Sequence, residues 1–200
     1  MIKAIIFDAG DVYLKGDFHG FIEKSCDILG LDHRYFKNRL DDTHPLNHYL
    51  NLGKMDHIAA FEEFFEKRFN NLQKELMLEI WDNTWKLDMR MRSLAEKLSS
   101  SYLIAILSNS ETRYEKIAEE NSWYSFFDAV IYSHKIGMIK PNKEIYLYTA
   151  EVLGVSPDEC VVIDDNPLYV IGAEKAGMKA ILFRSYLELL KGLKELDITP

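Results

Sequence analysis

Asp8 closes a short apolar run, Ile2-Lys3-Ala4-Ile5-Ile6-Phe7, and the same arrangement returns downstream, where Cys160-Val161-Val162-Ile163 leads into Asp164 and Asp165. Nearly continuous apolar stretches of four to six residues are expected as buried parallel strands, and open parallel sheets carry their functional groups just beyond the strands' carboxyl ends. If the two strands are neighbours, three carboxylates meet in one crevice. Two carboxylates about 4 Å apart repel by roughly 4 kcal/mol at an effective dielectric near 20, so such a cluster requires a proton or a bound cation. Oxygen ligands of this kind suit a hard divalent ion.

The elements that must position these acids are legible in outline. Five strands are predicted, Ile2 to Phe7, Leu103 to Leu107, Ala129 to Tyr132, Cys160 to Ile163 and Ala180 to Phe183. After residue 100 they alternate with helices. Ser110 has the character of an N-cap for a helix through Glu120, and Ser156-Pro157-Asp158-Glu159 has capping-box spacing with proline at the first helical position. Gly154 and Gly177 follow apolar helical patterns as stop signals. Strand alternating with helix predicts an α/β fold, a doubly wound, Rossmann-like parallel sheet.

Residues 8–102 carry almost no strand signal, far more chain than a crossover of about a dozen residues needs. Phe61, Phe64, Phe65 and Phe69 fall at helical spacing among charged residues, and Trp81 and Trp85 are one helical turn apart. All six aromatics are read as the core of an inserted helical bundle. The expected organisation is a Rossmann-like core of residues 1–15 and 89–200 with a helical cap over residues 16–88.

Two hundred residues suffice for one domain or one domain with an inserted module, without disulfide or metal staples. Cys26 and Cys160 have neither the number nor the spacing of a disulfide framework or a zinc site, which fits a reducing cytoplasm. The amino-terminal apolar run is too short for a signal peptide, and no segment approaches a membrane span. A formal charge of -8, with the lysines and arginines scattered, argues against nucleic acid as a partner.

Four short stretches stand at strand ends or just beyond them: Asp8-Ala9-Gly10-Asp11-Val12, Leu107-Ser108-Asn109, Lys140-Pro141 and Ile163-Asp164-Asp165-Asn166. Each is weak alone, but together and in this order they resemble the four motifs of the haloacid dehalogenase superfamily. The insertion lies where that family's helical C1-type cap emerges. The resemblance implies that Asp8 is a nucleophile attacking phosphorus to give an aspartyl phosphate. It further implies that Asp8, Asp164, Asp165 and the backbone carbonyl of Gly10 hold Mg²⁺. Lys140 would offset charge that the metal does not cover, while Ser108, with Asn109 beside it, would bind the phosphoryl group. The implied activity is a Mg²⁺-dependent phosphatase acting on a small phosphorylated metabolite, a sugar phosphate or similar.

Two departures from the family pattern matter. Hydrolases of this kind usually carry a second aspartate two residues after the nucleophile as general acid and base; here that position is Gly10, and Asp11 is one residue too late to point the same way. Loss of such assistance typically costs about 10²- to 10⁴-fold, so slow turnover, good leaving groups or a proton donor from elsewhere is expected. Gly10→Asp is accordingly expected to speed alkyl esters more than aryl esters. Tyr169 is the second departure, four residues beyond Asp165, where family members often keep a polar residue. Tyr13, Lys15, Asp17, His19, Arg39, His44 and His48 are open to substrate contact without one being singled out. Two other functions compete: a non-catalytic or regulatory protein on the same fold, for which Gly10 would mark decay, and metal-free 2-haloacid dehalogenation. The latter fits poorly, because those enzymes resemble a Ser-Ser-Asn pattern where this chain has Asp164-Asp165-Asn166.

Overall fold

The computed structural model describes residues 1–36 and 50–199. Seven strands occur among them: β1 (Ala4–Phe7), β2 (Leu14–Gly16), β3 (Trp85–Leu87), β4 (Leu103–Ser108), β5 (Ala129–Tyr132), β6 (Cys160–Asp164) and β7 (Lys179–Leu182). Five of them form one parallel sheet in the order β5-β4-β1-β6-β7. The protein is therefore an α/β fold on a central parallel sheet.

Both faces of this sheet are covered. Ile5, Phe7, Ile104, Ile106, Val161 and Ile163 pack into one apolar cluster, whereas Ala4, Ile6, Ala105, Leu107, Cys160 and Val162 pack into another. Successive strand residues point to opposite faces, so a continuous apolar run is what a strand buried on both sides requires. β1 and β6 are buried at every position. A third apolar cluster, including Phe21, Phe61, Phe64, Phe65, Phe69, Met77 and Trp81, contains no residue of the five-stranded sheet.

The helix after β6, Pro167–Lys175, is started by Asn166, whose side chain accepts from the Leu168 amide at 2.9 Å. The helix Lys143–Leu153 ends on Gly154 at φ +69°, a left-handed cap that favours glycine. Ser156–Glu159 forms the expected capping box, around a single 3₁₀ turn.

Two local readings are corrected. The helix Thr112–Glu120 is capped by Glu111, not Ser110: the Glu111 carboxylate accepts from the Arg113 and Tyr114 amides at 2.6 and 2.9 Å. Trp85 is not helical. It lies in β3, which pairs antiparallel with β2 in a two-stranded ribbon, Gly16 opposite Trp85 and Leu14 opposite Leu87. That ribbon was itself unforeseen, since three-residue strands are too short to show a period.

Pro141 packs against the helix that follows β6. A Cβ placed on Gly172 would sit 2.5 Å from the Pro141 carbonyl oxygen, so this position has room for hydrogen alone. Gly172→Ala should cost about 1–3 kcal/mol by overpacking, read as a lower denaturation midpoint. An unchanged midpoint would contradict the packing described. Among the described residues no helix is long and apolar enough to cross a membrane, and both cysteines are buried and free.

Candidate active site

The register brings the acids together. Phe7 lies opposite Ile163 on one side and Ile106 on the other, and the Asp8 amide donates to the Ile163 carbonyl at 2.8 Å. Asp8 thus leaves the sheet beside Asp164 and near Ser108, at the crevice where the strand order reverses. Carboxylate oxygens of Asp8, Asp164 and Asp165 all lie within 4.8 Å of one another.

Lys140 is the central cation. Its ammonium donates to Asp8 Oδ1 and to Asp164 Oδ2, each at 2.6 Å, with the lysine side chain 1% exposed. Asp164 is fully buried, and its other oxygen accepts from the Asn166 amide at 2.9 Å. Asp165 is exposed to the crevice side. Burial pushes the Asp8 carboxyl up to about 8, against the lowering effect of Lys140, with Asp164 and Asp165 adding to the rise. Burial alone would favour a neutral lysine, but the fields of Asp164 and Asp8 outweigh it and hold Lys140 charged, its pKa raised. Three carboxylates against one ammonium leave an excess of negative charge. With oxygen donors only, the set matches what a hard divalent cation takes.

Lys140 is also fixed from behind. Asn109 grips its backbone at both ends, its Oδ1 accepting from the Lys140 amide at 2.8 Å and its Nδ2 donating to the Lys140 carbonyl at 3.0 Å. The Lys140–Pro141 peptide is cis. Asn109 Nδ2 also lies 3.3 Å from the Tyr169 hydroxyl, and the Tyr169 ring centroid is 4.8 Å from the Lys140 ammonium. The Asn109 side chain thus holds Lys140, and Asn109 also lines the crevice. Tyr169, at the departure seen in the sequence, supplies both a hydroxyl for Asn109 and a π face for the ammonium.

These groups form the floor of a cavity of about 240 Å³, which Ser108, Asn109, Lys140 and Asp165 line together with Asp8 and Gly10. Its upper wall comes from the inserted segment and the ribbon: Phe18, Leu50, Trp81 and Trp85, with Tyr114 from the core. The Trp85 indole is slotted between two glycines. A Cβ on Gly10 would meet its ring at 3.1 Å, and one on Gly16 would meet it at 3.0 Å. Gly10 and Trp85 are thus in close contact, and a side chain at position 10 requires the indole to give by a few tenths of an ångström. Gly10→Asp is still expected to speed alkyl esters more than aryl esters, with that shift of the indole included, and initial rates on wild type and variant would show it.

Asp11 adopts φ +53° in the tight turn after β1, and its Oδ1 accepts from the Gly16 amide at 3.2 Å. It ties the turn to the ribbon. Of the other residues left open by sequence, Tyr13 is buried with its hydroxyl donating to the Trp123 carbonyl, Lys15 pairs with Asp88, Asp17 caps the helix Phe18–Leu29, and His19 is exposed. None of these four lines the cavity. Arg39, His44 and His48 lie outside the described residues.

Sequence reasoning missed Glu111 and Ser110 as cavity residues. Burial opposes ionisation of Glu111, yet its pKa is lowered, because His57 Nε2 stands 2.9 Å away and the Tyr114 amide and Trp81 Nε1 donate to it. Ser110, displaced from the cap by Glu111, is buried against the cavity, and its hydroxyl has no hydrogen-bond partner among the described residues. Glutamate is not a preferred N-cap, so the sequence carried no local cue that Glu111 would take the role and leave Ser110 to the cavity.

Comparison with known proteins bears on this geometry. A putative phosphatase of Bacillus subtilis is 32% identical over 82 residues, 36% of this chain and 37% of that protein, so the match spans little more than a third of it. A putative pyrophosphatase of Clostridium perfringens is 23% identical over 187 residues, 90% of this chain and 82% of that protein. A HAD family enzyme of Bacteroides thetaiotaomicron, solved with magnesium and inorganic phosphate, superposes with a TM-score of 0.76 at 20% identity, covering 94% of this chain and 99% of that one. The family model for haloacid dehalogenase-like hydrolases matches residues 2–177. With the four motifs converging at the carboxyl ends of the central strands, the chain belongs to the haloacid dehalogenase-like hydrolases.

Proposed function

We propose that this hydrolase is a Mg²⁺-dependent phosphatase of small phosphomonoesters, working through an aspartyl phosphate on Asp8. The observation that carries the reading is the buried ammonium of Lys140 shared between Asp8 and Asp164, with Asp165 completing a carboxylate set fit for one cation. Phosphatase relatives and a structural neighbour that holds magnesium and phosphate support it.

In this reading Asp8 attacks phosphorus in line, and water then cleaves the acyl phosphate. Lys140, fixed by Asn109 and Tyr169, offsets negative charge on Asp8 and on the phosphoryl group. Ser108 and the main chain at Asn109 bind phosphoryl oxygens at the end of β4. Asp8, Asp164, Asp165 and the Gly10 carbonyl would hold Mg²⁺, which when bound supplies further charge compensation for the phosphoryl oxygens. Residues 16–88 form the cap that walls the site, with residues 1–15 and 89–200 as the catalytic core.

Phosphate release from a panel of monoesters, measured with Mg²⁺ and with chelator, tests this. Release confined to Mg²⁺ is expected; release indifferent to chelator would refute the metal set, and none from any ester would refute the phosphatase. A second expected outcome concerns protons. Burial raises the hold of the Asp8 carboxyl on a proton, so Mg²⁺ binding should release protons and tighten as pH rises. Calorimetry in two buffers of different ionisation enthalpy measures that release directly.

A further inference from the structure

The geometry points to an aryl phosphate as substrate: a monoester of a phenol-like hydroxyl on one uncharged ring, whose leaving oxygen departs without a proton from the protein. The inference rests on the phosphatase reading and narrows it. Three features of the cavity lead there.

The first is charge. Lys140 is the only cationic residue among the described lining residues, and its ammonium is already engaged by Asp8 and Asp164. Among the described lining residues, a second phosphate or a carboxylate on the substrate would face the carboxylates of Asp11, Asp165 and Glu111. The second is the chemistry of the wall. Phe18 and Trp85 meet edge to face at 5.1 Å, Phe18 and Trp81 lie 6.0 Å apart, and Tyr114 stands 5.8 Å from Trp85. A polyol leaving group placed there would lose its water and find few partners, because the Glu111 oxygens are already taken by Trp81 and by the Tyr114 amide. Beside these rings, among the described residues, stand the unpartnered Ser110 hydroxyl and Asn51, enough for one polar substituent. A volume of about 240 Å³, near the low end for ligand pockets, has room for a phosphoryl group and about one ring.

The third is the Trp85 indole itself, packed against Gly10 where a general acid would stand. An Asp8 oxygen forms a bond to phosphorus, the bond from phosphorus to the leaving oxygen breaks, and that oxygen keeps the electron pair and takes a proton from water. Water then attacks the acyl phosphate, releasing phosphate and restoring Asp8, so that one water is consumed per ester. Only an acidic hydroxyl, such as a phenol, leaves readily in this way. The wall beside the position that lacks an acid is thus the wall that receives a ring needing none.

The full chain with Mg²⁺ tests the ring and the leaving group separately. For the ring, benzylphosphonate and methylphosphonate, neither of which can be hydrolysed, are titrated by tryptophan fluorescence. Benzylphosphonate should bind at least tenfold more tightly, and Phe18→Ala should shrink that ratio; equal affinities in the wild-type protein would overturn the inference. For the leaving group, kcat/KM on phenyl phosphate should exceed that on glucose 6-phosphate by at least 100-fold and fall steeply across phenols of decreasing acidity. A flat series, or a preference for the sugar phosphate, would overturn it too. Acetyl phosphate, which needs neither ring nor acid, separates this from the underlying reading. Turnover of acetyl phosphate without ring preference sinks the aryl proposal alone, whereas ring-selective binding without turnover of any ester sinks the phosphatase.

Discussion

Asp8→Asn should end phosphate release while making the metal-free protein more resistant to unfolding at pH 8. The first half follows from the loss of the attacking oxygen. The second follows from burial, which lifts the Asp8 carboxyl from 3.8 in the free chain to about 8 in the fold. Between those values the native state keeps a proton that the unfolded chain has released, so wild-type stability is fully present below the lower value and is lost as pH rises through the upper one. An uncharged amide at position 8 removes that slope, and Lys140 retains an oxygen acceptor there. Denaturation midpoints in chelator at pH 5 and pH 8 measure the effect: wild type should decline between them more than the variant. A parallel decline in both proteins would remove Asp8 as the source of the slope, and unaltered turnover in the variant would remove it as the nucleophile.

Lys140→Met should act in the opposite sense on stability. Its ammonium is the cation buried between Asp8 and Asp164, and Asp164 is 0% exposed. Removing one partner of a buried ion pair leaves an uncompensated charge, which typically costs about 3–5 kcal/mol. The metal-free variant should therefore unfold at markedly lower denaturant, with part of the loss recovered when Mg²⁺ is added, because a divalent ion supplies some of the missing charge. Turnover should fall by about 10²- to 10³-fold, the usual effect of deleting one preorganised group that faces developing charge. Lys140→Arg should not rescue it. A planar, forked guanidinium does not fit a site built for a compact ammonium under the Tyr169 ring and held at 2.6 Å from each of two carboxylates. A midpoint unchanged in Lys140→Met, or full activity in Lys140→Arg, would contradict this account.

The parts legible in sequence were those written as local pattern. The apolar runs ending in Asp8 and in Asp164 announced buried strands and acids at their ends, because a strand covered on both faces has no other composition available. Gly154 marked a helix end through the left-handed backbone it permits. What stayed hidden depended on contacts between distant residues. The double grip of Asn109 on Lys140 spans 31 positions and has no sequence signature. Trp85 misled through its spacing: four residues after Trp81 it imitates a helical face, whereas the chain turns between them and delivers it to β3. The contact of Gly10 with the Trp85 ring was likewise invisible, because the two are brought together only by the ribbon.

That packing makes positions 10, 16 and 85 one mechanical unit. β3 pairs with β2 directly after the turn that carries Gly10, and a Cβ on either glycine would press on the Trp85 ring, at 3.1 Å from Gly10 and 3.0 Å from Gly16. Shrinking the indole instead would leave an apolar void beside the turn that follows Asp8. The seating of that turn is therefore coupled to a residue far along the chain, and changes at these three positions are expected to be non-additive.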